Sequence, residues 1–157
     1  MATRSTIAIE YADGTVGQVY CHWDGYLEHN GQILRDYYSN PFILRDLIDM
    51  GDISSLGRIV GTKHPFSPHE GDTQKALYEA AMEQGATTFY GRDRGETGVA
   101  AKTFKSFEDY KENHQYEEFE YILREVDGKA VWFVSKYDGP YLPLTEQLAT
   151  IKEEETV

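Results

Sequence analysis

The chain has 157 residues and a formal net charge of −12, from 27 acidic and 15 basic side chains. That excess of acid excludes the usual nucleic-acid binder, whose phosphate-facing surface needs excess cation. Apolar residues at 40% and aromatics at 13% exclude a disordered chain, and the length fits one domain over residues 1–157.

The alternation over residues 5–11, around Ile7 and Ile9, predicts a strand. Asp13-Gly14 reads as a two-residue turn with positive φ at both positions, returning the chain along residues 15–22. That turn sets Ile7 opposite Tyr20 and Ile9 opposite Gln18. A helix follows over residues 28–38, weakened at Gly31. Asn40 caps the next helix, which starts at Pro41 and is closed by Gly51. Residues 52–71 read as irregular. Asp72 or Thr73 caps a helix to Gln84 with an apolar stripe of Ala76, Leu77, Ala80 and Ala81.

Residues 86–90 form a short strand, 91–98 a polar loop between glycines, and 99–104 another strand. Ser106 caps an acidic helix over residues 107–113. Residues 117–126 and 129–137 make a second hairpin around Asp127-Gly128, with Leu123 opposite Trp132 and Tyr121 opposite Val134. Pro143 opens the last helix, to Lys152, before a frayed acidic tail. The fold class is α+β: an antiparallel sheet built from two Asp-Gly hairpins with three to five helices.

A lone cysteine, Cys21, leaves no intramolecular disulfide and no cysteine-based zinc site. Residues 1–11 lack a signal core, and no run of about 18 apolar residues exists. The sequence therefore reads as soluble and cytoplasmic, with no membrane partner, no cofactor and no metal.

The acids are uneven. Residues 1–105 hold 14 acids and 10 bases, and residues 106–157 hold 13 acids and 5 bases. Glu108, Asp109, Glu112, Glu117, Glu118 and Glu120 form one cluster, and Glu153, Glu154 and Glu155 another. A solvated face is the ordinary use of such a cluster; a docking surface for a basic partner is the sharper one. In the hairpin, Glu118 and Glu120 share a face with Ile122, and Glu117 shares the other with Phe119 and Tyr121, which splits the cluster.

Two stretches carry candidate chemistry. In Cys21-His22-Trp23-Asp24-Gly25-Tyr26, His22 and Asp24 stand two apart at a strand end, as an acid–base pair would. In Phe89-Tyr90-Gly91-Arg92-Asp93-Arg94-Gly95-Glu96, Arg92 and Arg94 beside Tyr90 suit a phosphate or carboxylate; an internal ion network is the other use. His29, His64, His69 and His114 follow no metal-ligand spacing, and Glu70 and Asp72 read as helix caps.

The strings Thr3-Arg4-Ser5-Thr6-Ile7-Ala8-Ile9, His22-Trp23-Asp24-Gly25-Tyr26, Gly51-Asp52-Ile53-Ser54-Ser55-Leu56-Gly57 and Thr88-Phe89-Tyr90-Gly91-Arg92-Asp93-Arg94-Gly95-Glu96 resemble those of a group of small proteins carried by bacteriophages and bacterial mobile elements. The likeness covers residues 3–104. It implies a setting, a phage protein in an infected bacterium, and assigns no catalytic residues. By analogy of setting, the expected function is a non-enzymatic acidic inhibitor of a host defence protein. It would mimic nucleic acid on a basic surface and bind no nucleic acid itself. The alternative is a small binder or enzyme for a phosphate-containing nucleotide, using His22, Asp24, Tyr90, Arg92 and Arg94. A third reading is a homo-oligomer with Tyr37, Tyr38 and Tyr110 at the contact.

Overall fold

The computed structural model describes residues 2–155. In chain order it has β1 (Ser5–Glu10), β2 (Val16–Cys21), a π-helical turn (Leu27–Gly31) running into α1 (Gln32–Tyr37), α2 (Pro41–Asp49) and β3 (Ile53–Ser55). Then come α3 (Asp72–Gln84), β4 (Thr88–Phe89), α4 (Tyr90–Arg94), β5 (Lys102–Phe104) and α5 (Phe107–Asn113). The chain ends with β6 (Phe119–Val126), β7 (Lys129–Lys136), β8 (Leu142–Pro143) and α6 (Leu144–Glu155). The class is α+β. One sheet runs in the order β4-β3-β2-β1-β6-β7-β8, with β5 also paired to β2. The two hairpins meet where β1 lies parallel to β6, Ile7 beside Tyr121.

The same dipeptide closes both hairpins in different ways. Asp127 (φ 51°) and Gly128 (φ 79°) both take positive φ. They give the two-residue turn that sets Leu123 opposite Trp132 and Tyr121 opposite Val134, as expected. At the first hairpin only Gly14 (φ 88°) takes positive φ. Asp13 instead accepts hydrogen bonds from Thr15 N (2.9 Å) and Thr15 Oγ1 (2.6 Å). The loop is three residues long, closed by Tyr11 N donating to Thr15 O. The register therefore differs by one from the expected one: Ile7 faces Val19 and Ile9 faces Gly17. A one-residue shift exchanges the faces of a strand. Val19 and Cys21 point to the main core, and Gln18 and Tyr20 to the opposite face.

The main core joins Ile7, Ile9, Val19, Tyr121 and Leu123 to Leu34, Leu44, Leu47, Ile48, Leu144 and Leu148 from the helices. Each such buried side chain is worth about 1.5–3 kcal/mol. Asn40 caps α2 by accepting from Phe42 N, with Pro41 at the first turn. Gly31 sits in the π-helical turn because a Cβ there would meet the Tyr121 hydroxyl at 3.3 Å. The other sheet face carries a smaller core of Ala8, Val16, Tyr110 and Ile122. α5, capped by Ser106 accepting from Asp109 N, covers part of it.

Several local expectations are corrected. Tyr90, expected to end a strand, and residues 91–94 of the supposed polar loop form a helix, α4, closed by Gly95 in the left-handed region. Neither Asp72 nor Thr73 caps α3; Gly71 stands at that position. Its stripe joins no core, and Leu77 is 52% exposed. Tyr38 and Tyr110 are fully buried, so they offer no contact to a second copy; only Tyr37 is exposed. The tail acids Glu153, Glu154 and Glu155 end α6, with side chains outside the described ones. No described helix is long and apolar enough to cross a membrane.

Candidate functional site

The register shift creates the polar surface that forms the site. On the sheet face away from the main core, Thr6 lies opposite Tyr20 and Gln18 opposite Lys102. The outer edge of β2 has two partners: β5 as far as Gln18 and β3 at Cys21. Between them the Tyr20 amide donates to Asp52 Oδ1 (2.9 Å). Asp52 is placed there by Gly51, whose positive φ (85°) turns the chain out of α2. These residues, with Arg4, Gln115 and Glu117, line a cavity of about 410 Å³. The volume suits a small ligand.

Its charges oppose one another. Arg4 and Lys102 supply two cations, Asp52 and Glu117 two carboxylates. Burial pushes the Asp52 carboxyl above its usual range, against the pull of the Tyr20 amide and Lys102. Burial does the same to Glu117 against Arg4. Gln18 is 4% exposed, and its Nε2 has no acceptor among the described residues. Gln115 Oε1 accepts from Lys102 Nζ at 3.4 Å. Burial holds the Tyr20 phenol up at about 12. Its oxygen lies 2.6 Å from His22 Nδ1. Burial and the Arg4 charge hold the His22 imidazole below its usual range, and the proton it shares with the Tyr20 hydroxyl can sit on either atom, as the imidazole tautomer decides.

The sequence candidates divide. His22 reaches the cavity through Tyr20, and its expected partner Asp24 does not share in this. Asp24 takes φ 57° in a turn whose carbonyl accepts from Asn30 N. Arg92 is structural. Its Nε donates to Asp93, Nη1 to Val60 O and Gly61 O, and Nη2 to Thr87 O and Asp93. All five N–H groups are committed, which leaves none for a phosphate. Arg94 pairs with Glu96 and lies over the Phe66 and Tyr90 rings. The Tyr90 and Phe66 rings are tilted at 36°, with centroids 5.6 Å apart. Arg92 therefore keeps no donor for a ligand shared with His22, Asp24 and Arg94.

The acidic cluster also divides. Glu120 is fully buried and pairs with buried His114. Strand alternation turns it, with Ile122, under α5, so it belongs to no docking surface. Glu117 lines the cavity. Asp109 accepts from Lys105 N and Asn113 Nδ2, which keep its carboxyl below the usual range. Glu108 pairs with Lys111 at 3.2 Å, Glu112 is exposed and Glu118 half-buried. Among the other histidines, His64 is buried against Thr88 Oγ1 and Thr62 O, and His29 bonds Asn30. No group of three or more His, Cys, Asp or Glu among the described residues could hold a metal. Cys21 is buried, its thiol pushed up to about 12.

Gln18, Lys102 and Gln115 stand in no motif, and Arg4 and Asp52 stand in strings to which the resemblance assigns no role. Only the β2 register, set by the Asp13 turn, would have marked them. Compared with protein-family models, curated proteins and solved structures, the chain matches none.

Proposed function

We propose that this protein binds a small zwitterionic molecule of the α-amino-acid type in the cavity beside β2. The observation that supports this most directly is the lining itself: two cations, two carboxylates and a buried amide donor without an acceptor around one small space. A carboxylate would lie on Arg4 and Lys102, and an ammonium on Asp52 and Glu117. A nucleotide phosphate fits less well, because two carboxylates with poor solvation stand where its charge would go. Neutral His22 and the Tyr20 hydroxyl add an orienting hydrogen bond.

Isothermal titration with a panel of free amino acids tests the reading. A zwitterion should bind, while the matching amine or acid alone should bind about tenfold or more weakly. Arg4→Ala combined with Lys102→Ala should remove binding and leave the fold intact, since both side chains are exposed. Saturable binding by no zwitterion, or binding indifferent to this double change, would overturn it.

A second reading keeps the charge of −12 and the exposed Glu108 and Glu112 on α5 in its favour: an acidic phage protein blocking a basic surface of a host protein. Reversing Glu108, Glu112 and Glu118 to Lys should then abolish capture of that partner. Capture should also weaken steeply with salt.

A further inference from the structure

A second cavity, of about 510 Å³, lies between α5, the β6–β7 hairpin and the turn at 138–141. Its walls are aromatic: Phe107, Tyr116, Phe133 and Tyr141. Phe107 and Tyr141 meet edge to face at 5.6 Å. Two of the chain's 15 cations stand on one of these rings, the Arg124 guanidinium 3.6 Å and Lys111 Nζ 4.9 Å from the Phe107 centroid. One acid, Asp138, faces them in the lining.

The two cations have few hydrogen-bond partners. Among the described residues Arg124 donates a single hydrogen bond, Nη2 to Glu10 Oε2 at 3.2 Å, and its Nε has no partner. Arg92, by contrast, has all five donors filled. Lys111 pairs with Glu108, whose side chain is 74% exposed, and such a surface pair is worth little. A carboxylate entering the cavity would therefore meet an arginine with free donors and a lysine whose partner exchanges readily for water. Aromatic walls favour a flat ring behind that carboxylate.

We propose that this cavity is a site for an aromatic carboxylate, its ring among Phe107, Phe133 and Tyr141 and its carboxylate on Arg124 and Lys111. The site is separate from the zwitterion cavity. The segment between α5 and β6 divides them, with His114 and Tyr116 lining this one and Gln115 and Glu117 the other.

Benzoate is the probe, followed by amide chemical shifts in ¹H–¹⁵N spectra and by titration calorimetry. Saturable binding in the millimolar range should shift the amides of α5 and of residues 138–141. Benzamide, without the charge, and cyclohexanecarboxylate, without the flat ring, should each bind about tenfold more weakly. Arg124→Gln should weaken benzoate by about as much. Lys111→Ala, at an exposed pair, serves if the first variant is poorly folded. Arg4→Ala should leave benzoate binding unchanged. Three results would each overturn the proposal: no saturable binding to folded protein, equal binding of the three probes, or loss of binding with Arg4→Ala instead of Arg124→Gln.

Discussion

Arg92→Ala should cost about 4 kcal/mol of folding free energy, and the value follows from what the side chain holds. Removing one partner of a buried pair costs about 3–5 kcal/mol. Arg92 is 11% exposed at the side chain and Asp93 0%, at 2.9 Å, so solvent screens little. Asp93 keeps the amides of His64 and Phe89 as donors, which favours the lower part of that range. The carbonyls of Val60, Gly61 and Thr87 lose their donors as well, adding about 1 kcal/mol. Arg92→Lys retains the charge but gathers its three donors on one nitrogen; it should recover about half of the loss. Urea unfolding with an unchanged slope gives the measurement. A native stability of about 5–15 kcal/mol leaves room to observe it. A loss below about 1 kcal/mol for Arg92→Ala would refute the structural assignment and return Arg92 to the ligand candidates.

Glu120→Gln tests the buried His114 pair through pH. Burial lowers the His114 pKa, but the Glu120 hydrogen bond and charge outweigh it and the imidazole ends above its usual 6.5; burial lifts Glu120 above 4.5 against the pull of His114. Both groups hold protons longer in the folded state. Their contribution is thus present at low pH and is lost as pH rises through the folded values. The wild type should lose stability relative to Glu120→Gln between about pH 5 and pH 8, and parallel curves would rule the coupling out. Gly57→Ala should lower Tm by about 5–10 °C: its Cβ would stand 2.2 Å from Gly85 O and 2.5 Å from Ala86 O, and backbone atoms cannot move aside cheaply. An unchanged melting curve would show that the Leu56–Arg58 turn is looser than this packing requires.

The elements legible in the sequence are those whose signals are local. Asn40-Pro41, Ser106 before its acidic turn, and Asp127-Gly128 each determine their own geometry, and the structure has them in place. Asp13-Gly14 shows the limit of a two-letter signal. Thr15 follows it and offers Asp13 two donors, so the aspartate accepts hydrogen bonds and leaves the left-handed conformation to Gly14. The parallel meeting of β1 and β6 joins residues more than a hundred positions apart. Nothing local announces it. The apolar stripe of α3 has helical spacing, but spacing reports only that a helix has a face, and this one packs into no core.

The candidate site was hidden for a related reason. Sequence reasoning looks for chemistry in short runs, and a run such as Gly91–Glu96 draws notice because its charges are crowded. Crowded opposite charges satisfy one another: Arg92 takes Asp93 and the nearby carbonyls, and Arg94 takes Glu96. Arg4 and Lys102, which line the cavity beside β2, have no acid beside them in sequence, and Arg124 has Glu125 beside it but pairs with Glu10. Arg4 precedes an apolar strand, Lys102 lies on an edge strand far from acids in sequence, and Arg124 sits in β6, where its partner Glu10 arrives from another strand. Such residues become a site only after the sheet brings them together. In an acidic chain, then, the isolated cation is the better pointer to a ligand. Arg4→Ala with Lys102→Ala tests that rule at the cavity beside β2.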